Sequence, residues 1–164
     1  MLKVLFVCTG NTCRSPMAEK LMNYALETTQ LPFKVIAVSA GLSAMSGDAA
    51  SETARQLLSE KGIYSLENHS ASNVNQEKID DADLVLVMTS EQRQQLLSMF
   101  PHAAYRTYLL KEFADPEQLD FDIEDPVGLG PDKYRHVMEE IWCCIQKIVL
   151  KLKEENRDEH SPGQ

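Results

Sequence analysis

Residues 4–16 read VLFVCTGNTCRSP, an apolar run that passes directly into a loop ending in Arg-Ser-Pro. The run VLFV has the length and composition of a buried strand, and the proline indicates the first turn of a helix. Between them lie Cys8, five further residues and Arg14. Backbone N–H groups of a loop that enters a helix, together with the helix dipole, attract a tetrahedral anion. The segment therefore predicts a phosphate site with a thiol at its base.

Strand-like and helix-like segments alternate along the chain, which is typical of a parallel sheet covered by helices. Strands are predicted at 4–7, 35–41, 84–88 and 105–110, and helices at 17–28, 51–60, 91–99 and 134–153, with Pro16 at the first helical position. The fold class expected is α/β: a single-domain three-layer sandwich, with a four-stranded parallel sheet, helices on both faces and the phosphate-binding loop after the first strand. Residues 1–153 would form the domain, and the polar residues 154–164 a disordered tail.

The composition restricts the partners and the compartment. The 164 residues carry a formal net charge of −9, so the surface repels nucleic acid and anionic membranes, and neither is an expected partner. No apolar stretch is long enough to span a bilayer. The apolar N-terminus continues into the phosphate loop and does not resemble a signal peptide, so we expect a cytoplasmic protein.

The cysteines and histidines do not form a metal-binding pattern. Free thiols are the default in a reducing compartment, and the four cysteines are Cys8, Cys13, Cys143 and Cys144. They contain no Cys-x-x-Cys pair, and the four histidines show no ligand spacing around them. We therefore predict neither a metal nor an organic cofactor.

The loop residues suit phosphoryl transfer. Arg14 presents a planar fork of donors that matches two phosphate oxygens. A helix N-terminus and an arginine also favour the thiolate of a nearby cysteine, so Cys8 is predicted to attack phosphorus and to form a phosphocysteine intermediate. Gly10 and Asn11 tolerate the backbone conformations of a tight loop. Ser15 can donate a hydrogen bond to the sulfur and ease its departure.

Two other interpretations of this loop are open from the residues alone. In the first, the segment is only structural, Cys8 is a small buried residue beside a helix start, and Arg14 lies on the surface. The matched context of strand, Gly-Asn turn, arginine and helix start favours a site instead. A phosphoprotein-binding module would use the same pocket without turnover, and the presence of both a thiol and an acidic residue suited to proton transfer argues against it.

The segment 8–16 closely resembles the loop of the low-molecular-weight protein-tyrosine phosphatase family, Cys-x5-Arg-Ser/Thr near the N-terminus. The resemblance extends to about residue 153 and includes the segment 39–41 (SAG) and the pair Asp125-Pro126. It implies Cys8 as the nucleophile, Arg14 as the phosphate clamp and Asp125 as the general acid. The phosphate-binding residues that it implies are Thr9, Gly10, Asn11, Thr12, Cys13, Arg14 and Ser15.

A general acid is chemically required, because the leaving group must gain a proton and the water of the second step must lose one. The segment 111–131 is predicted to be a long acidic loop, in which Asp120, Asp122 and Glu124 compete with Asp125 by residue type alone. The family resemblance selects Asp125. It also implies that Ser39 and His69 support the phosphate loop by holding Asn11 and Ser15, whereas a surface position is the alternative for His69.

Three substrate classes occur in the family, and the residues discriminate among them. Arsenate reductases need two further cysteines around the third strand, and residues 70–100 contain none. Phosphotyrosine enzymes commonly carry aromatic residues directly after Asp-Pro, where this chain has Val127, and an Ile or Leu where Thr12 stands. Thr12 resembles the residue of the protein-arginine-phosphatase branch, and its hydroxyl can accept a hydrogen bond from a guanidinium.

We therefore predict that the substrates are phosphorylated proteins, with phosphoarginine favoured over phosphotyrosine, and that inorganic phosphate is the product. Thr12 and Val127 are the predicted specificity residues. A helix cap is the alternative role for the Thr12 hydroxyl, because threonine is common at helix N-caps.

Cys13 lies on the same tight loop as Cys8 and suggests redox regulation. If the two sulfurs approach each other, oxidation would close a disulfide that shields Cys8 from over-oxidation. The alternative is a small residue that merely fits the loop, because sequence spacing does not determine disulfide geometry.

Overall fold

The computed structural model describes residues 1–158, in which strands and helices alternate. The strands are β1 (Leu2–Cys8), β2 (Val35–Gly41), β3 (Leu84–Val87) and β4 (Thr107–Leu109). The helices are α1 (Arg14–Thr28), α2 (Glu52–Glu60), α3 (Gln76–Asp81), α4 (Ser90–Met99), α5 (Leu110–Ala114) and α6 (Pro131–Asp158), with 3₁₀ turns at Ser65–Asn68 and Pro101–Arg106. Within these residues, no helix is both long and apolar enough to cross a membrane.

All four strands are parallel, and their order in the sheet is β2-β1-β3-β4. The first strand is therefore internal, with Cys8 opposite Gly41 of β2 and Val7 opposite Val87 of β3. Ligands of open parallel sheets bind beyond the carboxyl ends of the strands, and Cys8 is the last residue of β1. The predicted α/β sandwich with a four-stranded parallel sheet is confirmed.

The alternation of side chains along β1 separates two apolar cores and decides which way Cys8 faces. Val4, Phe6 and Cys8 belong to the core that includes residues of α1, α2 and α6. Leu5 and Val7 belong to the other core, together with residues of α3 and α4. The Cys8 side chain therefore lies on the face of the sheet that α1 covers, beside the helix that begins at Arg14.

Several predicted boundaries are corrected by the structure. Helix α1 begins at Arg14, so Pro16 is the third helical residue and not the first, and its missing N–H still falls in the first turn, where no intrahelical partner exists. Residues 105–106 belong to a 3₁₀ turn and not to β4. The predicted loop 111–131 starts with most of α5.

The last helix is longer at both ends than the predicted 134–153. It begins at Pro131, where proline is favoured in the first turn, and it continues to Asp158. Residues 154–158 of the predicted disordered tail are therefore helical, and residues 159–164 lie outside the described chain. The domain boundary at residue 153 falls inside α6 and stays a prediction.

Candidate active site

A small pocket opens at the carboxyl end of β1, with a volume of about 190 Å³. Its lining residues are Cys8, Thr9, Gly10, Thr12, Cys13, Arg14, Asp125 and Val127. The predicted nucleophile, phosphate clamp, general acid and specificity residues therefore meet at one place, although Asp125 is more than a hundred positions from Cys8 in sequence. Asn11 and Ser15, which are fully buried, lie behind this lining. Within residues 1–158, this pocket included, no group of three or more His, Cys, Asp or Glu side chains is arranged to hold a metal ion.

Asn11 supplies the sharp bend in the phosphate loop. Its φ of 53° is the only positive value at a non-glycine residue among the described residues. Gly10, which was expected to provide this freedom, does not adopt a positive φ, so that part of the prediction is wrong. Asparagine tolerates the left-handed conformation better than most residues because its short side chain can hydrogen-bond locally. At Gly10 a Cβ would meet only the Thr12 Oγ1, at 3.7 Å.

Gly41, the last residue of the segment 39–41 that resembles the family, supports the phosphate loop, a role that the sequence did not indicate. A Cβ at Gly41 would lie 2.7 Å from the Thr9 carbonyl oxygen and 3.1 Å from the Asn11 Cβ. The phosphate loop therefore packs directly on the backbone at the end of β2. The neighbouring backbone also holds the loop, since Leu42 and Ser43 donate their N–H groups to the Cys8 and Thr9 carbonyls at 2.9 Å each.

A chain of hydrogen bonds leads from the Asn11 amide to the Cys8 sulfur. The Ser72 backbone N–H donates to Asn11 Oδ1 at 3.0 Å, which turns the Nδ2 end towards Ser15. Asn11 Nδ2 donates to Ser15 Oγ at 3.0 Å, so the Ser15 hydroxyl proton is free for another acceptor. Cys8 Sγ lies 2.9 Å from Ser15 Oγ, closer than the alternative acceptor, the Ala40 carbonyl at 3.5 Å. The network thus directs the Ser15 proton at the sulfur.

Ser39 and His69 contact Asn11 as the resemblance implied. Ser39 Oγ accepts a hydrogen bond from Asn11 Nδ2 at 3.1 Å and donates to Glu19 Oε1 at 3.2 Å. His69 Nε2 lies 2.6 Å from the Asn11 carbonyl oxygen, and because a carbonyl only accepts, Nε2 must carry the proton. His69 therefore holds the backbone of the residue at which the loop bends.

Arg14 joins the phosphate loop to the loop that carries Asp125. Its side chain is 6% exposed and points into the pocket, with Nη2 3.8 Å from Asp125 Oδ2. Its other terminal nitrogen, Nη1, donates to the Ile123 carbonyl at 2.8 Å. The Ile123 N–H in turn donates to the Met88 carbonyl at the end of β3, at 2.9 Å. The guanidinium is therefore oriented before any ligand arrives.

The other acidic residues of this loop have different partners. Asp122 Oδ1 accepts hydrogen bonds from the Ser90 N–H at 2.8 Å and the Ser90 hydroxyl at 3.2 Å, at the start of α4. Asp120 Oδ1 accepts from the Asp122 N–H at 2.9 Å, and Glu124 pairs with Lys133 at 2.6 Å. Only Asp125 among the four candidates lines the pocket, where its side chain is half-exposed.

Thr12 and Val127 lie on the pocket wall. The N-cap of α1 is Cys13 and not Thr12, so the helix-cap interpretation of the Thr12 hydroxyl does not apply. The Thr12 carbonyl accepts a hydrogen bond from the Ser51 N–H at 2.8 Å, which ties its backbone to the start of α2. Val127 is 59% exposed and presents an aliphatic surface at the side of the pocket that Asp125 occupies.

Cys13 is buried at the N-terminus of α1 and remains a thiol at neutral pH. Burial raises its pKa from 9.0 to about 12, and repulsion from Cys8 adds to the rise more than the attraction of Arg14 lowers it. Neither Cys8 nor Cys13 is in a disulfide.

Comparison with known proteins identifies the family. The chain matches the model of the low molecular weight phosphotyrosine protein phosphatase family over residues 3–158. A protein-arginine-phosphatase of Geobacillus stearothermophilus is 42% identical over 153 residues, which is 93% of this chain and 97% of that protein. The low molecular weight protein-tyrosine-phosphatase PtpB of Staphylococcus epidermidis strain RP62A is 33% identical over 150 residues, 92% of this chain and 99% of that protein.

A solved structure of the arginine phosphatase YwlE, in a cysteine-to-serine variant with a phosphorylated active-site serine, superposes on this chain with a TM-score of 0.87. The two are 35% identical, and the alignment covers 95% of this chain and 99% of that one. The protein belongs to the low molecular weight phosphotyrosine protein phosphatase family and is a phosphatase.

The contact of the phosphate loop with Gly41 predicts the effect of Gly41→Ala. The added Cβ forces the Thr9 carbonyl to move, and a displacement of about 1 Å in such a site costs on the order of 100-fold in rate. We expect kcat/KM for p-nitrophenyl phosphate to fall by that order while the protein stays folded. Gly62→Ala is the control: with a φ of 81° and open space around it, it should lower the unfolding temperature and leave kcat/KM unchanged.

The burial of Cys13 predicts how oxidation proceeds. Peroxide converts the Cys8 thiolate to a sulfenic acid. The Cys13 thiolate then attacks the Cys8 sulfur and displaces hydroxide, which takes up a proton from solvent to become water, and the disulfide forms. Because burial holds the pKa of the Cys13 thiol above its usual value, its thiolate is scarce at neutral pH, and the disulfide yield at a fixed time should rise as the pH is raised. Peptide mass spectrometry of the protein and of Cys143→Ser should find the linked peptide in both. If Cys8 is oxidised to sulfinic acid and no disulfide-linked peptide is found, Cys13 has no redox role.

Proposed function

We propose that the protein is a protein-arginine phosphatase that transfers the phosphoryl group to Cys8 and then to water. The observation that carries this proposal is the convergence of Cys8, Arg14 and Asp125 on a pocket whose wall includes the hydroxyl-bearing Thr12.

In the first step the Cys8 thiolate attacks phosphorus, and the bond from phosphorus to the leaving group breaks. The loop N–H groups and the Arg14 guanidinium hold the phosphoryl oxygens as negative charge accumulates on them. Asp125, protonated, gives its proton to the leaving nitrogen or oxygen. A serine that is phosphorylated in place of a cysteine in the related YwlE structure supports phosphoryl transfer to the residue at this position.

In the second step a water molecule attacks the cysteinyl phosphate, and the sulfur leaves as a thiolate. Asp125, now a carboxylate, takes the proton of the water and is ready for the next cycle. The Ser15 hydroxyl, 2.9 Å from Cys8 Sγ, donates to the sulfur and stabilises the charge that it acquires. Inorganic phosphate is the second product.

The pocket wall favours phosphoarginine as the substrate. A guanidinium carries only hydrogen-bond donors, so it gains from acceptors beside the phosphate site. The Thr12 hydroxyl and the carbonyl oxygen of the protonated Asp125 carboxyl supply them, whereas Val127 provides no aromatic ring to cover a phenyl group. The name of the Geobacillus stearothermophilus relative, a protein-arginine-phosphatase, supports the same assignment.

Protein phosphotyrosine is the second candidate substrate. The name of the family and the tyrosine phosphatase PtpB among the relatives favour it. The phosphoryl-transfer chemistry is the same for both substrates, so phenyl phosphates should react in the same pocket. The pocket wall should contribute less to their binding than to the binding of phosphoarginine. A non-catalytic binding module has less support, because such a module needs neither a buried thiol nor an acid.

An arsenate reductase lacks support as well, since the next cysteine after Cys13 is Cys143, in α6. For the proposed activity we take residues 1–158 as the catalytic unit, phosphorylated proteins as substrates and the cytoplasm as the place of action. Neither nucleic acid nor a membrane surface is needed as a partner.

The proposed acid role of Asp125 predicts a dependence on the leaving group. Asp125→Asn keeps the size of the side chain but cannot donate an acidic proton, and loss of general acid catalysis costs about 10²–10⁴ in rate. We expect the loss to be largest for phosphoarginine and smallest for p-nitrophenyl phosphate, whose leaving group needs little protonation. Asp120→Asn is the matched control, because an amide oxygen still accepts from the Asp122 N–H. A loss that is equal for all leaving groups would contradict the assignment.

The substrate assignment predicts the effect of Thr12→Ile. The substitution removes the hydroxyl, adds an ethyl-sized apolar group to the wall and leaves the backbone β-branched. We expect kcat/KM for a phosphoarginine peptide to fall by about 10-fold or more, the usual cost of losing a hydrogen bond to a charged group, and to change little for p-nitrophenyl phosphate. An equal fall in kcat/KM for both substrates would contradict the assignment of Thr12 as a specificity residue, and it would leave the proposed phosphatase mechanism intact.

A further inference from the structure

Gln92 is a buried polar residue that neither the sequence argument nor the proposed mechanism uses. It is the third residue of α4, and only 4% of its surface is exposed. Glutamine is seldom buried this deeply, and buried amides need hydrogen-bond partners at both ends. Its Oε1 accepts from the Met88 N–H at 3.0 Å and the Thr89 N–H at 3.2 Å. Its Nε2 donates to Thr9 Oγ1 at 3.1 Å.

The direction of the Gln92 amide is determined by its backbone partners. Two N–H donors converge on one end, and only the carbonyl oxygen of the amide can accept from both. The NH₂ end must therefore face Thr9. Capping of α4 uses the oxygen alone, together with the Thr89 hydroxyl that accepts from the Gln92 N–H at 3.2 Å. The contact with Thr9 is separate from the capping box.

The bond from Gln92 leaves the Thr9 hydroxyl with its own proton unused. Because Thr9 Oγ1 accepts from Nε2, its proton must point elsewhere, and Thr9 is an exposed residue that lines the pocket. The Thr9 backbone cannot turn away, since its carbonyl accepts from the Ser43 N–H at 2.9 Å and packs against Gly41. A hydroxyl donor is therefore held at the edge of a site for an anion.

We propose that Gln92 is a positioning residue, which orients the Thr9 hydroxyl so that it donates a hydrogen bond to the bound phosphoryl group. Thr9 thereby adds a side-chain donor to the backbone N–H groups and Arg14. The inference rests on the proposed phosphoryl-transfer role of this pocket, but it does not depend on which phosphorylated residue is the substrate.

The substitution Gln92→Glu separates the two functions of the side chain. A glutamate keeps an oxygen for Met88 and Thr89, so α4 stays capped. Its second oxygen cannot donate to Thr9 and instead accepts the Thr9 proton, which withdraws that donor from the pocket. Thr9→Val removes the donor directly with little change in volume, whereas Thr9→Ser keeps it.

The test measures the inhibition constant of inorganic phosphate, and KM and kcat for p-nitrophenyl phosphate, on the full chain. Gln92→Glu and Thr9→Val should each raise the phosphate inhibition constant and KM by about 10-fold, as expected for loss of a hydrogen bond to a charged group. Thr9→Ser should recover most of the phosphate binding that Thr9→Val loses, because a serine hydroxyl is the same donor.

The double variant identifies the path by which Gln92 acts. A negative charge near the pocket weakens phosphate binding by itself, but this effect persists when Thr9 is valine. If Gln92 acts through Thr9, Gln92→Glu should raise the inhibition constant clearly less in the Thr9→Val background than in the wild type. Equal increases in both backgrounds would overturn the proposal, and so would a Thr9→Val protein that binds phosphate normally.

Gln94→Glu is the matched control, since Gln94 is an exposed residue of α4 and the charge change is identical. It should leave both constants unchanged within about 2-fold, as expected for a screened surface charge. If Gln92→Glu fails to fold, the comparison of Thr9→Val with Thr9→Ser still tests the donor that the proposal requires. Equal inhibition constants for these two variants would rule out the Thr9 hydroxyl as a donor and overturn the proposal. A protein that binds phosphate as described but does not hydrolyse phosphoarginine would contradict only the substrate assignment.

Discussion

The conformation of one buried residue, Asn11, determines the shape of the phosphate pocket. Its φ of 53° turns the loop so that Cys8, Thr12 and Arg14 line one cavity. Four hydrogen bonds hold it there, from Ser72 and His69 and to Ser15 and Ser39. A non-glycine residue in this region costs free energy unless the surroundings compensate for it, and here the polar atoms that compensate are also those that orient Ser15 towards the sulfur. The same hydrogen bonds of Asn11 therefore hold the bend of the loop and direct the Ser15 proton at the Cys8 sulfur.

The second constraint is the connection between the phosphate loop and the loop that carries Asp125. Arg14 reaches across to the Ile123 carbonyl, and Ile123 is attached to Met88 at the end of β3. The start of α4 extends this connection. Its Ser90 N–H donates to Asp122 in the loop of Asp125, and its Gln92 side chain donates to Thr9 in the phosphate loop. These hydrogen bonds connect the loop of Cys8 to the loop of Asp125 through the residue after β3 and the start of α4. This matters for an acid that has to reach the leaving group of a phosphoryl transfer.

The sequence alone allowed the prediction of those site residues whose role depends on their own side-chain chemistry. All four strands were located from the sequence, and the signal was clearest for the internal strands β1 and β3, whose apolar runs are buried on both faces of the sheet. Cys8, Arg14 and the left-handed tolerance of Asn11 follow from residue type and spacing. The short helix α3 was missed because its six residues bury only Ile79, which leaves no periodic pattern to detect. The helical extension of α6 beyond Lys153 was missed because residues 154–158 are polar, although polar residues continue a helix without difficulty.

The sequence by itself determined the reaction class of this protein: a strand, a loop of Cys-x5-Arg and a helix start specify local geometry, and local geometry is sufficient to build an anion site around a thiol. Only the tertiary structure brought Asp125, which the family resemblance selects among the four carboxylates, into the pocket of that thiol. It alone showed that Gly41 must be small because the phosphate loop rests on it, and that Gln92 contacts Thr9. The physical reason is the same in each case. These contacts join residues from different strands and loops through backbone atoms or a single side-chain atom, and neither leaves a pattern in the order of the residues.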